Sequence, residues 1–213
     1  MKTVIAAALV AVAGGACVGP ADAQTLDRLR ETGKIVLAHR EDARPMSYLN
    51  AEGLPSGYTP AVCVAVAKAI AEAYSLNLTA EFVPVGTDDR FDAIAEGRAD
   101  LLCGAATITL GRREVVDFSI PVFVDGASVA MLKGGDTDLA NYGDKTIGVR
   151  SNTTTEGALE TTMNRIGVSP TIETFDSHEA GLAAVLAGDI YAYFADQSIL
   201  MYQAAATGQA AAL

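Results

Sequence analysis

Histidine occurs only twice, as His39 and His178, too few for a histidine-rich metal site. Tryptophan is absent, and cysteine is limited to Cys17, Cys63 and Cys103. Basic residues are outnumbered, 15 Lys and Arg against 26 Asp and Glu, for a net charge of −11. That balance excludes a nucleic-acid binder, which needs a basic surface to displace phosphate counterions. Hydrolase G-x-S-x-G, phosphate-loop G-x-x-x-x-G-K-[ST], zinc H-E-x-x-H and EF-hand patterns are all missing. No Gly/Pro period suggests a fibre, and no internal repeat interrupts the chain before its Ala-rich end.

Long apolar runs are equally scarce. The one candidate, Val4 to Ala13, follows Met1-Lys2-Thr3 and leads through small residues to Ala21-Asp22-Ala23. It is too short to span a bilayer, which takes about 20 apolar residues. A basic start, a short apolar run and an A-x-A site describe a secretory signal peptide over residues 1–23. The rival is a lipid anchor on Cys17, for which Gly14-Gly15-Ala16 is a poor lead-in. Export leaves Cys63 and Cys103 as an even pair in an oxidising compartment, where a disulfide is favoured over a metal site or nucleophile. Such a bridge contributes roughly 3–4 kcal/mol in the chain-entropy model; the alternative is two buried thiols.

What the chain has is apolar material, 50% of its residues, enough for one large domain or two small lobes with cores. Strand and helix signals alternate. A helix is expected over Leu26 to Thr32 and a strand over Lys34 to His39. A turn-rich loop should run from Glu41 to Gly57, then a helix from Pro60 to Tyr74 with Val62, Val66, Ala69, Ile70 and Ala73 in helical period. Strands at Leu78 to Val83 and Asp100 to Cys103 flank a helix at Asp88 to Glu96. An extended crossing strand, Pro121 to Leu132, leads to a second run: strand Thr146 to Arg150, helix Thr154 to Ile166, strand Thr171 to Phe175, helix His178 to Leu186, strand Ile190 to Phe194, and a helix from about Asp196. The pattern predicts an α/β protein of two lobes, 24–121 and 122–213, with a ligand cleft at the strand ends between them. The Ala-rich end stops mid-pattern, which suggests an incomplete sequence.

Polar groups gather at strand-to-helix junctions. Thr109 can cap a short helix that carries Arg112, and free first-turn amides beside a guanidinium suit a carboxylate; a solvated surface helix is the plainer alternative. Thr153 and Glu156 fit a capping box. Asp196 can take an ammonium group or cap the next helix. His178, in a helix first turn, gives no signal by itself.

Together these segments resemble the extracytoplasmic amino-acid-binding proteins of family 3. The resemblance lies in Tyr48 with Gly57-Tyr58, Arg90-Phe-Asp-Ala-Ile94, Gly97-Arg-Ala-Asp-Leu-Leu-Cys-Gly104 and above all Thr107-Ile-Thr-Leu-Gly-Arg-Arg-Glu-Val-Val-Asp-Phe-Ser119. It continues through Pro121 to Gly126, Gly148 to Thr155 and Ala192 to Asp196. It implies a type II periplasmic-binding fold that lacks the usual C-terminal return to the first lobe. It also implies a monomeric binding protein, not an enzyme, that closes by bending near Ser119 to Val122 and delivers an amino acid to an ABC permease without a cofactor or metal. By resemblance, Arg112 with Thr107 takes the ligand α-carboxylate, Asp196 the α-ammonium, and Thr153 and Thr154 supply hydroxyls from the second lobe. Ala105 contributes only backbone. Arg40, Thr87, Arg90 and His178 match the glutamate/aspartate-binding members. Unpaired, Arg40 and Arg90 would be costly beside a neutral side chain, which favours an acidic ligand. A dehydratase on the same fold, a neutral amino-acid binder and a receptor's ligand-binding part are the alternatives.

Overall fold

A computed structural model describes residues 22–213. The expected leader, with Cys17, lies outside them up to position 21. Helix α1, Asp22–Thr32, leads into β1, Lys34–His39. Strand β1 alternates into continuous apolar burial because it is central. It pairs in parallel with β5 (Thr79–Pro84) on one side and β6 (Leu101–Cys103) on the other. Ile35 and Leu37 pack with Leu29 of α1 and with Cys63 and Ala67 of α2, Tyr58–Ala73. Each such buried side chain contributes about 1.5–3 kcal/mol. Cys63 and Cys103 form the expected disulfide, joining α2 to β6 across 40 residues with Cα atoms 6.0 Å apart.

The segment expected as a loop, Glu41 to Gly57, is instead a small antiparallel sheet: β2 (Asp42–Ala43), β3 (Ser47–Leu49) and β4 (Pro55–Ser56). Strands of two or three residues are too short to show a two-residue period, so only their turns were visible in sequence. Helix α3, Arg90–Ala95, and the four-residue α4, Leu110–Arg113, follow.

The expected crossing strand is shorter than Pro121 to Leu132. Residues 114–126 have no regular structure, and β7 spans only Ala127–Met131. It begins where a partner exists, since Ala127 opposes Asp196 at the end of β10 (Ala192–Asp196). Strands β8 (Thr146–Arg150) and β9 (Thr171–Phe175) complete a sheet of order β7-β10-β8-β9 with β7 antiparallel. Helices α5 (Thr154–Ile166) and α6 (His178–Ala187) each end on a left-handed glycine, Gly167 at φ 71° and Gly188 at φ 80°. Helix α7, Gln197–Ala206, follows β10.

Helix α6 lies close on β10 because Gly181 leaves room for the Tyr193 ring, which a Cβ at 181 would overlap. Gly181→Ala is therefore expected to cost about 1–3 kcal/mol through overpacking and to lower the thermal midpoint by about 5 °C. A melt followed by circular dichroism with an unchanged midpoint would contradict this packing.

Candidate functional site

The ends of β1, β6, β8 and β10 converge on one cavity of about 20 Å³, lined by Arg40, Arg90, Ala105, Thr107, Arg112, Arg150, Thr153, Thr154, Thr155, His178, Phe194, Ala195 and Asp196. Nine of the ten ligand-site residues expected from sequence are among these. The tenth, Thr87, is buried beside it. Its carbonyl accepts from Arg90 Nη1 and its hydroxyl faces Asp88, so it supports Arg90 and does not line the cavity.

Arg112 is placed by its helix cap. The Thr109 hydroxyl accepts from the Arg112 amide at 3.2 Å, and Nη1 of Arg112 donates to the Thr107 carbonyl at 2.8 Å. Two guanidinium groups lie over the Phe91 ring, with Arg112 Cζ 4.8 Å and Arg90 Cζ 4.6 Å from its centroid. Such cation–π contacts orient an arginine without consuming its hydrogen-bond donors. Asp196 stands at the cap position of α7 but makes no capping hydrogen bond, which leaves its carboxylate directed elsewhere. Burial, then Asp125, raise the Asp196 carboxyl above its ordinary pKa, while Arg112 opposes the rise.

Thr153 caps α5 as expected, accepting from Glu156 N at 3.2 Å. The reciprocal half of the capping box is displaced by one residue: Glu156 Oε2 accepts from the Asn152 amide at 2.7 Å. The Thr153 hydroxyl also donates to the Arg150 carbonyl, so Thr154 is left as the freer hydroxyl; it meets Thr107 Oγ1 at 3.2 Å. Arg90 Nη2 donates to Asn152 O at 2.9 Å. These two contacts join the segments after β5 and β6 to the segment after β8. Arg90 is almost fully buried, and its Nε is the one buried side-chain N or O atom without a partner among the described residues. Burial, then the neighbouring Arg112, Arg40 and Arg150, lower its pKa to about 10, still charged at neutral pH.

His178 is buried, contrary to its neutral appearance in sequence, because the first turn of α6 packs over Tyr193. Its Nδ1 lies 3.2 Å from the Tyr193 hydroxyl. Burial lowers its pKa to about 4, with Asp42 opposing and Arg40 and Arg150 reinforcing that shift.

Two residues were not anticipated. Arg150 ends β8 in the cavity wall and donates from Nε to Asp42 Oδ2 at 3.0 Å. Asp42 also pairs with Arg40 through Oδ1. Burial pushes the Asp42 carboxyl up, but Arg40 and Arg150 outweigh it and hold the group below the usual range. Counted together, four guanidinium groups face two carboxylates, Asp42 and Asp196, with His178 neutral. A protein of net charge −11 thus keeps a locally positive cavity.

The α/β architecture, two mainly parallel sheets with β7 antiparallel in the second and a charged cavity at the strand ends, is that of the type II periplasmic-binding proteins. The chain matches the bacterial extracellular solute-binding proteins, family 3, over residues 35–199, and belongs to that family. It is 29% identical over 183 residues to the glutamate/aspartate import solute-binding protein of Escherichia coli, covering 85% of this chain and 61% of that one. It is 30% identical over 175 residues to the L-glutamate/L-aspartate-binding protein of Pseudomonas aeruginosa, covering 78% and 58%. The chain thus spans about three fifths of the length of these curated relatives, which are binding proteins. Among solved structures, it is similar to the ancestral amino acid-binding protein described as a precursor of cyclohexadienyl dehydratase. There the TM-score is 0.74 at 25% identity, covering 84% of this chain and 78% of that one.

Proposed function

We propose that the protein is an extracytoplasmic receptor for acidic amino acids, most simply glutamate or aspartate, serving an ABC permease as a monomer. The observation that carries this reading is the convergence of Arg40, Arg90 and Arg112 with Asp196 around one cavity. Arg112 and Thr107 take the α-carboxylate and Asp196 the α-ammonium, which neutralises any zwitterion. The remaining positive charge is matched by a second carboxylate, for which arginine forks are well shaped. Thr153, Thr154, His178 and the Ala105 backbone complete the wall, and Thr87 holds Arg90 from behind. Glutamate/aspartate binding by the two curated relatives supports the same ligand class.

A cavity of about 20 Å³ admits about one water. An amino acid therefore enters as the two lobes, 24–121 and 122–213, part by hinge motion near Ser119 to Val122 and close again. Calorimetry with L-glutamate, L-aspartate, L-glutamine and L-arginine tests the proposal. Tight binding of an acidic amino acid is expected, and tight binding of only the neutral or basic ones would overturn it. The dehydratase named for one structural neighbour motivates a second reading, an enzyme acting on prephenate-like acids. Turnover of such an acid without stable amino-acid binding favours that alternative.

A further inference from the structure

Asp42 and Arg150 hold a position that the roles above leave unused. Arg150 is buried in the wall of the cavity, where its Nη1 also donates to Ser151 Oγ at 2.7 Å and to the Phe175 carbonyl at 3.0 Å. Those contacts fix the guanidinium at the end of β8 and leave Nε for the Asp42 carboxylate. Next to the ion pair lies a second, more open cavity of about 310 Å³, lined by Asp42 and Arg150 with Glu41, Asp89, Asp176 and residues 84–86. Arg150 thus borders both a small positive cavity and a larger acidic one, and its partner Asp42 borders the acidic one.

A carboxylate that bridges Arg40 and Arg150 has the chemistry of a ligand's distal carboxylate. We infer that Asp42 is an internal competitor for that carboxylate, and that Arg150 is a specificity-determining residue acting with Arg40. An incoming side-chain carboxylate replaces Asp42 on the two guanidinium groups, and the larger cavity receives the displaced Asp42. Displacement toward that space does not strand a buried charge, which is the usual large penalty for breaking a buried pair. An amide has no charge to exchange, so it leaves the Asp42 pairing intact. The competitor therefore weakens acidic ligands while leaving neutral ones largely unaffected. The inference rests on the proposal that Arg40 faces the ligand side chain.

The test compares Asp42→Asn and Arg150→Gln in the full chain, titrating L-glutamate and L-glutamine by calorimetry. Both substitutions break the same ion pair, so a purely structural brace moves both variants in the same direction. The competitor predicts opposite directions for glutamate: about tenfold tighter in Asp42→Asn and about tenfold weaker in Arg150→Gln, a difference of about 1.4 kcal/mol each way. Glutamine affinity changes by less than glutamate affinity in both variants, so the glutamate-to-glutamine ratio rises in Asp42→Asn and falls in Arg150→Gln. Should Asp42→Asn fail to fold, Asp42→Ser carries the same expectation. Glutamate affinity that falls in both variants, or does not change in either, overturns the inference and leaves the acidic-ligand proposal standing. Wild type that takes glutamine and ignores glutamate instead ends the acidic-ligand proposal, and the competitor with it.

Discussion

Arg112→Ala is expected to weaken every amino acid by at least about a hundredfold, acidic or neutral alike. The guanidinium is half-buried, its desolvation lowers its pKa, and Asp196 is its main electrostatic counterweight. Removing it leaves a ligand carboxylate desolvated and unpaired, a loss of about 3–5 kcal/mol for a buried charge pair. The fold should be little affected, since the side chain donates only to the Thr107 carbonyl and rests on Phe91 outside the four core clusters. Arg40→Ala should behave differently, removing the preference for glutamate over glutamine while leaving recognition of the amino-acid end. Calorimetry on both variants, with circular dichroism as the folding control, reads the difference. Equal losses across all ligands in both would contradict the division of labour between Arg112 and Arg40.

The same pair of arginines shows how far the sequence could be read. Arg112 was legible because its placement is local: a Thr cap three residues earlier puts it on the first turn of α4. Strands β1 and β8 were legible for a similar reason, as short β-branched and apolar runs bounded by polar residues, and both matched their expected limits. Arg40 was placed only by resemblance, because a single Arg after a strand carries no local signal. Arg150 and Asp42 were missed entirely. They are 108 residues apart, and a charge pair of that separation exists only once two sheets have been brought together. The burial of His178 has the same origin. Nothing in Ser177-His178-Glu179 distinguishes it from a solvent-facing first turn; the Tyr193 ring, admitted by Gly181, is what covers it.

That burial makes His178 the residue through which acid should unfold the protein. In the folded state it stays neutral down to about pH 4, whereas an unfolded histidine titrates near its model value of 6.5. A folded pKa below the unfolded one means that the unfolded chain binds the extra proton first. Stability is therefore complete above about pH 6.5 and is lost as the pH falls toward 4, by on the order of 3 kcal/mol over that window. Asp42 does not offset the loss, because a carboxyl whose folded pKa is lowered favours the folded state only while ionised. The positive charge gained at His178 is also opposed by the nearby Arg40 and Arg150. In urea titrations at pH 7, 5.5 and 4.5, wild type should lose stability progressively. His178→Asn, which cannot be protonated in this range, should show a flatter acid limb even where its stability at pH 7 is lower. An equally steep decline in the variant would assign the acid sensitivity to other groups and leave the burial of this imidazole without its expected consequence.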